Sequence, residues 1–297
     1  MSNKTHKTLV IIICETRAHG VTSDLFKRNV LDIIPADLAL CVRSNEQHEQ
    51  HEQHNKFYDL AKYVWPVKEP DNWTDAYKSV AKELNVDENA WLKASAIGEM
   101  WLGGGNNKSI INQCGSGAIL YYYRWFLQKK LEELNLIKEY DWFVITRSDF
   151  IWNIPHPPSK LLDPNRIYIP DGEYYDGVTD RHMIVSANYV KDCIHLIEPI
   201  LCQPQYVIDS LVQMYGDVLN PERYIKWKLR ELGLLDKVCF FPYVMYAVRE
   251  NGGSTSWSIG TWNSELKYNI KYDGEYQSYI KYKNIIKTAD DWKILLP

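Results

Sequence analysis

The stretch EYDWFVITRSDFIW, residues 139–152, decides how the rest of the chain is interpreted. Its apolar part, residues 142–145, is short and rich in aromatic and β-branched side chains, which predicts a strand buried on both faces. Arg147 and Asp149 follow directly, with one residue between them. Residues two apart in extended backbone project to the same side. The sequence therefore predicts a buried strand that ends in a cation and an anion facing one place.

The flanking patterns predict an α/β fold. On the N-terminal side, a strand over 7–18, a helix over 21–34 and a strand over 36–44 form a βαβ unit, which favours a parallel sheet. The segments predicted elsewhere are helices over 72–100, 116–137, 187–202 and 220–235, strands over 166–170 and 178–186, and a final strand or strand pair over 237–250. No stretch has the composition of a linker, so one domain with a central, mostly parallel sheet and helices on its faces is expected.

Composition excludes several classes of function. The 297 residues carry a formal net charge of −4, so there is no basic field to attract nucleic acid. The apolar runs are too short for a transmembrane segment. The start MSNKTHKT lacks an apolar signal segment, and the six cysteines form no C-x-x-C pair, so a soluble cytoplasmic protein is expected, in the host cytoplasm if the source is viral.

Two low-complexity stretches carry little chemistry. The repeat EQHEQHEQH places His48, His51 and His54 three residues apart, and a solvated tract is a simpler interpretation than a metal site. The stretch LGGGNNKS, residues 102–109, lacks the glycine spacing of a phosphate loop, so a flexible connector or a lid is expected there.

The charges at the predicted strand end allow two interpretations. Ligands of open α/β sheets bind beyond the carboxyl ends of the strands, where Arg147 and Asp149 fall. A carboxylate there can ligate a divalent cation, and a guanidinium can pair with phosphate oxygens as a fork. Together they suit a metal–diphosphate complex. A structural Arg–Asp pair that closes the strand end fits the same spacing.

A family resemblance favours the first interpretation. The segments YDWFVITRSDFIW, IYIPDGEYYDGVTDRHMIVS and VIIICETRA resemble nucleotide-sugar-dependent glycosyltransferases of the GT-A type, in particular bacterial, algal and viral members. The resemblance spans roughly residues 8–250, in order. It implies a Rossmann-related GT-A-like sandwich in one domain over 1–297. The expected parts are a nucleotide-binding half over 1–115, a half for metal, donor and acceptor over 116–250, and an extension of unknown role over 251–297.

Site residues are carried over by position. Asp149 takes the place of the last Asp of the D-x-D motif and would ligate Mn²⁺ or Mg²⁺. Arg147 stands where the first Asp usually sits, which implies weak metal affinity or direct neutralisation of the diphosphate by Arg147. Arg17 would lie near the nucleotide. Asp180 and Arg181 would flank the donor sugar or orient the metal loop, although a surface ion pair is an equal alternative.

The catalytic base is expected at the start of a late helix. NPERYIKWKLRELGLLDKV resembles the family's acceptor-facing helix, and Glu222 is then the candidate. The helix dipole would keep this carboxylate ionised. A glutamate in a first turn is also favourable without any function, and Asp209 is a second candidate.

The resemblance implies a metal-dependent glycosyltransferase. Its donor would be a UDP-sugar such as UDP-xylose, UDP-glucose or UDP-galactose, and its acceptor a hydroxyl of an oligosaccharide or glycoprotein glycan. A carboxylate base favours inversion. A non-catalytic nucleotide- or carbohydrate-binding protein on the same fold is the alternative, because the first Asp of D-x-D is missing. A nucleotidyltransferase would need a glycine-rich loop after the first strand, where CETRAHGVTSD has one glycine.

Overall fold

The computed structural model describes residues 6–44, 54–98, 100–104, 115–251 and 258–296. His48, His51 and residues 105–109 of the predicted glycine-rich connector lie outside these ranges. The strands are β1 (Thr8–Cys14), β2 (Ala36–Arg43), β3 (Ala61–Val67), β4 (Trp142–Thr146), β5 (Phe150–Ile151), β6 (Ile167–Asp171), β7 (Met183–Ser186), β8 (Val238–Pro242), β9 (Tyr246–Arg249), β10 (Thr261–Asn263) and β11 (Tyr268–Ile270).

Helices separate most of these strands. The α-helices are α1 (His19–Phe26), α2 (Lys56–Leu60), α3 (Trp73–Glu83), α4 (Leu92–Ser95), α5 (Gly117–Glu133), α6 (Leu136–Glu139), α7 (Val190–Ile194), α8 (Ile197–Cys202), α9 (Pro204–Tyr215), α10 (Pro221–Glu231) and α11 (Asp273–Tyr282). A π-helical segment, Lys27–Leu31, extends α1, and short 3₁₀ helices lie at Ser159–Leu161, Leu235–Lys237 and Ala289–Ile294.

The main sheet has seven strands in the order β3-β2-β1-β4-β7-β6-β8. Strands β3, β2, β1 and β4 are parallel to one another, and β6 is parallel to β8. Strand β7 is antiparallel to both β4 and β6. The predicted α/β fold with a mostly parallel central sheet is therefore confirmed.

Both faces of the main sheet are buried. Leu9, Ile11 and Ile13 of β1 point into one apolar cluster, which α3, α5 and α7 to α10 cover. Val10 and Ile12 point into a second cluster, to which α1, α2 and Trp292 of the last 3₁₀ helix contribute. A strand buried on both sides needs no polar alternation, which explains its continuous apolar sequence.

A second sheet joins the end of β4 to the C-terminal part of the chain. Its order is β10-β11-β9-β5, and its pairings are antiparallel. Strand β5 begins at Phe150, one residue after Asp149. The strand or strand pair predicted over 237–250 is a pair: β8 lies in the main sheet and β9 in the second. Residues 261–282, part of the extension whose role the sequence left unknown, supply β10, β11 and α11.

Several predicted elements are shorter in the structure because the backbone turns inside them. Helix α5 ends at Glu133, and Asn135 adopts a left-handed conformation with φ 54°. The helix predicted over 187–202 breaks into α7 and α8. The strand predicted over 178–186 is limited to β7, so Asp180 and Arg181 lie in the loop before it. None of the helices described here combines the length and apolar character that crossing a bilayer requires.

The position of Trp292 gives a test of whether the C-terminal segment belongs to the core. Its ring is fully buried, its Nε1 donates to the Pro155 carbonyl at 2.8 Å, and its edge packs on Phe241. Trp292→Ala should lower the free energy of unfolding by about 3–5 kcal/mol, measured by urea denaturation. Trp262→Ala is the control, because this ring is 46% exposed, and its effect should stay within about 0.5 kcal/mol. Equal small losses would contradict the packing described.

Candidate functional site

An ion pair stands at the carboxyl end of β4. Arg147 donates from Nε to Oδ1 and from Nη2 to Oδ2 of Asp149, both at 2.9 Å. This is the bidentate geometry in which a guanidinium binds a carboxylate most strongly. The Asp149 side chain is 2% exposed and that of Arg147 is 29% exposed. The two side chains therefore project to the same side of the backbone, as their spacing predicted, and they pair with each other.

A second arginine contacts the same carboxylate. Arg249 is the last residue of β9, and its Nη1 donates to Oδ2 of Asp149 and to the Val248 carbonyl. The pairing of β5 with β9 brings it there, and the Val248 amide donates to the Asp149 carbonyl at 2.9 Å. We refer to Arg147, Asp149 and Arg249 as the strand-end cluster. Sequence reasoning missed Arg249, and no local pattern in YAVRE indicates a partner 100 positions away.

The two arginines keep Asp149 ionised. Burial would raise the pKa of this carboxyl, but the charges of Arg147 and Arg249 outweigh burial and hold the pKa well below its usual range. The pKa of Arg147 is raised because Asp149 outweighs the cost of its own burial. The pKa of Arg249 is lowered, with burial as the largest cause. All three side chains are charged at neutral pH, since an arginine does not lose its proton in a protein.

The loop after β1 reaches the same strand end. Ser148, between the two charges, donates from Oγ to the carbonyls of Glu15 at 2.8 Å and Arg17 at 3.1 Å. The Arg17 side chain pairs with Glu15 and is 46% exposed. Its charge is among those that lower the pKa of Asp149. The structure thus brings Arg17 to the end of β4, next to the strand-end cluster.

Arg181 is buried, so the surface ion pair that was considered for it is wrong. Its Nη1 donates to Glu275 of α11 at 2.6 Å, and its Nη2 lies 3.7 Å from Glu173. Its guanidinium also stacks on Tyr272, with Cζ 3.8 Å from the ring centroid. Glu275 further accepts from the Tyr243 hydroxyl. The C-terminal segment therefore fixes the position of Arg181.

Asp180 is half-buried, and its backbone is held by a buried arginine. Arg124 of α5 donates from Nη2 to the Asp180 carbonyl at 2.9 Å. Burial lowers the pKa of Arg124. The charges of Asp180 and Arg181 both act on the pKa of Arg147. The loop before β7 and the strand-end cluster are therefore within electrostatic reach of each other.

Glu222 begins α10 against that loop. Asn220 caps the helix, with its side chain accepting from the Arg223 amide at 2.8 Å, as the sequence Asn-Pro-Glu predicted. The Val178 amide donates to the Glu222 carbonyl at 3.0 Å. A Cβ on Gly177 would lie 2.0 Å from the carbonyl carbon of Glu222, so only glycine allows this approach. The close contact brings Glu222 next to Asp180.

The expectation that the helix dipole keeps Glu222 ionised is wrong. Burial raises the pKa of Glu222 to about 8, and the nearby Asp180 carboxylate raises it further, while Arg181 opposes both. A helix N-terminus contributes at most about 2 kcal/mol in favour of the charge. Burial and a like charge exceed this contribution here. Glu222 is mostly protonated at neutral pH.

Asp209, the second candidate for the base, lies apart from these residues. It is exposed on α9, and its Oδ1 accepts from Gln205 one turn earlier on the same helix, at 2.7 Å. None of its described contacts reaches the strand-end cluster or Glu222. The structure places Arg17 beside the strand-end cluster and places Asp180 and Arg181 within its electrostatic reach. Glu222 lies within electrostatic reach of Asp180 and Arg181, whereas Asp209 is not linked to these residues.

The surroundings of Asp149 do not fit a divalent metal ion. Mn²⁺ and Mg²⁺ need several oxygen ligands, and both Asp149 oxygens already accept from guanidinium groups. Two adjacent arginines would also repel the ion. Among the described residues, no group of three or more His, Cys, Asp or Glu side chains is placed to hold a metal. A metal at Asp149 stays a prediction from the resemblance, without support from this geometry.

Comparison with known proteins adds little to this geometry. No protein-family model matches the sequence, and no curated protein matches it either. Among solved structures, the chain is similar to mouse xyloside xylosyltransferase 1 in its apo form. The match covers 78% of this chain and 83% of that chain, at 9% identity and a TM-score of 0.38. A similarity of this size carries no argument about function, so the proposal below rests on the side chains.

The buried ion pair predicts that an Asp-to-Asn substitution destabilises the protein much more at Asp149 than at Asp290. Asp149→Asn leaves two arginines side by side without their counter-ion, and should lower the free energy of unfolding by about 3–5 kcal/mol. Asp290 also contacts two cations, Lys160 and Lys293, but it is 63% exposed. Asp290→Asn should cost less than about 1 kcal/mol. Urea denaturation of both variants measures the difference, and similar losses would contradict the described burial of the cluster.

Proposed function

We propose that this protein is a glycosyltransferase that moves a sugar from a nucleoside diphosphate donor to a hydroxyl of a glycan. The observation that carries the proposal is that the loop with Asp180 and Arg181 lies within electrostatic reach of both the strand-end cluster and Glu222. Arg147 and Arg249 supply positive charge, and Glu222 supplies a half-buried carboxyl group on a different element. The loop that bears Asp180 and Arg181 connects them. The resemblance in the residues around 147–149 agrees with this arrangement.

The cations suit the leaving group. When the bond between the sugar C1 and the β-phosphate oxygen breaks, its electron pair stays on the diphosphate, where negative charge grows. Positive groups held in place before the reaction stabilise that charge without reorganisation. Arg147, the more exposed arginine of the cluster, is the group that would contact the phosphate, with Arg17 beside it.

Glu222 suits the acceptor side of the reaction. As the acceptor oxygen forms its bond to C1, the hydroxyl proton moves to the ionised Glu222 carboxylate. A base opposite the leaving group gives inversion at C1. Burial makes Glu222 a stronger base than an exposed glutamate once it is ionised, which is the tuning that catalytic carboxylates show.

Exposed aromatic rings on the loop that contacts α10 support a saccharide acceptor. Tyr174 and Tyr175 are 45% and 50% exposed on the loop that packs against α10. Asn220, the cap of α10, donates to the Tyr175 carbonyl at 3.1 Å. Flat rings with a hydroxyl group suit the apolar faces and hydroxyl groups of sugars. We therefore place the acceptor glycan, an oligosaccharide or a glycoprotein glycan, against this loop.

UDP-sugars are the first donors to assay, with UDP-xylose, UDP-glucose and UDP-galactose among them. Slow hydrolysis of the correct donor should release UDP even without an acceptor. Each donor is assayed with Mn²⁺, with Mg²⁺ and with neither, because the resemblance also implies metal dependence. Release of UDP from none of the nucleotide sugars would remove the enzymatic proposal.

A non-catalytic nucleotide- or carbohydrate-binding protein is the second candidate. The engagement of Asp149 by two arginines favours it, since a carboxylate so occupied is removed from the usual metal role. A binder would gain thermal stability with a nucleotide sugar but would release no UDP. The donor assay and a thermal-shift measurement on the same samples distinguish the two functions.

The raised pKa of Glu222 predicts how the rate changes with pH. The base must be ionised, and its pKa of about 8 reflects burial first, then Asp180 and Glu173, opposed by Arg181. The rate of transfer should therefore rise as pH increases through about 8 and level off above it. Glu222→Gln should lower kcat by about 10²–10⁴-fold and abolish this rise, while donor affinity changes little.

Two further variants make the test specific to Glu222. Glu231→Gln is the matched control, because Glu231 lies at the other end of the same helix and contacts Tyr206. Its kcat should match that of the wild type. Asp209→Asn tests the other candidate, and a loss of kcat in that variant alone would transfer the base role to Asp209. Equal loss of donor affinity and kcat in Glu222→Gln would indicate a structural role.

A further inference from the structure

Three buried rings with unpartnered nitrogen atoms lie against one another in the core. Trp152, His156 and His182 are fully buried, and we refer to them as the ring cluster. The Trp152 ring centroid lies 5.3 Å from that of each histidine, and the two histidine centroids are 5.4 Å apart. The Nε1 atom of the tryptophan and the Nε2 atoms of both histidines are buried without a hydrogen-bond partner among the described residues. Buried polar atoms left unpaired cost free energy, so each of the three requires a partner.

The backbone that carries two of these rings is held in place. Asn29, in the π-helical segment after α1, donates from Nδ2 to the Trp152 carbonyl at 2.6 Å. The Asn29 carbonyl accepts from the His156 amide at 2.7 Å. On the other side of the cluster, the Phe241 ring packs edge-on against His182, with centroids 5.9 Å apart. The backbone and the neighbouring rings therefore fix the positions of the unpaired nitrogen atoms.

The hydrogen bonds of the two histidines define their protons. Nδ1 of His156 lies 2.8 Å from the Pro157 carbonyl, which can only accept, so this nitrogen carries the proton. Burial lowers the pKa of His156 to about 4, and burial followed by the charge of His156 lowers the pKa of His182. Both rings are neutral at neutral pH, and Nε2 of His156 is an acceptor. Nδ1 of His182 lies 2.9 Å from the Thr146 hydroxyl, which can donate or accept.

These groups select a neutral partner that both accepts and donates. The indole N–H of Trp152 needs an acceptor, and Nε2 of His156 needs a donor. An anion cannot donate to His156, and a metal ion cannot accept from Trp152. Two successive hydrogen bonds of about 2.9 Å allow a single oxygen atom to bridge groups up to about 6 Å apart. Rings with centroids 5.3–5.4 Å apart are close enough for such a bridge.

We propose that the ring cluster binds one buried water molecule. The water accepts from Nε1 of Trp152 and donates its two protons to the Nε2 atoms of His156 and His182. A buried water molecule typically makes about three hydrogen bonds, as this one does. His182 then donates from Nδ1 to the Thr146 hydroxyl. This inference goes beyond the proposed function and does not depend on it.

The water molecule connects three segments that lead to the candidate site. Trp152 directly follows β5, and His182 directly precedes β7. Thr146 is the last residue of β4. The next residue after Thr146 is Arg147, and the residue before His182 is Arg181. The bound water is therefore part of the buried structure that positions these two arginines.

The direct test is the transfer of magnetisation from water to the indole protons of the ¹⁵N-labelled full chain, measured by NMR. The Hε1 proton of Trp152 should show cross-peaks to water of opposite sign in NOE and ROE spectra, as a long-lived buried water produces. Trp292 is the matched control, because it is equally buried in the same apolar cluster but donates to the Pro155 carbonyl at 2.8 Å. Its Hε1 proton should show no such cross-peak.

The Trp152 signal is assigned by its loss in Trp152→Phe, or by triple-resonance spectra of the wild type if that variant does not fold. A missing water cross-peak at Trp152, or equal cross-peaks at Trp152 and Trp292, would overturn the inference.

The protonation of the histidines gives an independent readout. Long-range ¹H–¹⁵N spectra at pH 7 should show the proton on Nδ1 in both His156 and His182, since each Nε2 accepts from the water. A proton on Nε2 of His182 would contradict the proposed hydrogen bonds. Addition of Zn²⁺ should leave both Nε2 shifts unchanged. A change of both shifts with Zn²⁺ would indicate a metal ion between the two rings instead of water.

Discussion

The buried carboxylate of Asp149 is the interaction on which the organisation of this protein depends. It accepts from an arginine of its own strand end and from an arginine of the second sheet. Three charges in a buried place are stable only when their geometry and hydrogen bonds offset the loss of water. The turn after β4 must therefore keep one conformation, and β9 must stay paired with β5. The contact between Asp149 and Arg249 therefore fixes the end of β4 in the main sheet relative to the end of β9 in the second sheet.

The site is assembled from parts that are distant in sequence. The loop after β1 is held by Ser148, the loop before β7 by Arg124, and α10 by its close contact with Gly177. The C-terminal segment contributes Glu275, which holds Arg181 in a buried position. Each of these contacts places a charged group with little freedom. Such preorganisation is what a reaction with growing charge on its leaving group requires.

The sequence predicts those features that depend on local pattern. The continuous apolar run of β4, the βαβ unit and the cap at Asn220 each follow from a few neighbouring residues. The partners of Asp149 do not, because Arg249 arrives through antiparallel pairing that leaves no local signal. Burial is also the largest cause of the raised pKa of Glu222, and no helix pattern indicates it. The same holds for the close approach of Gly177 to the Glu222 backbone.

The clearest measurement is a crystal structure of the protein with UDP, grown in the presence of Mn²⁺. Both Mn²⁺ and the cationic side chains of the protein are then available to bind the diphosphate. The account predicts that the diphosphate lies at the end of β4, within hydrogen-bond distance of Arg147, with Asp149 still paired to both arginines. A manganese ion that bridges Asp149 and the phosphates, or UDP bound away from this strand end, would contradict it.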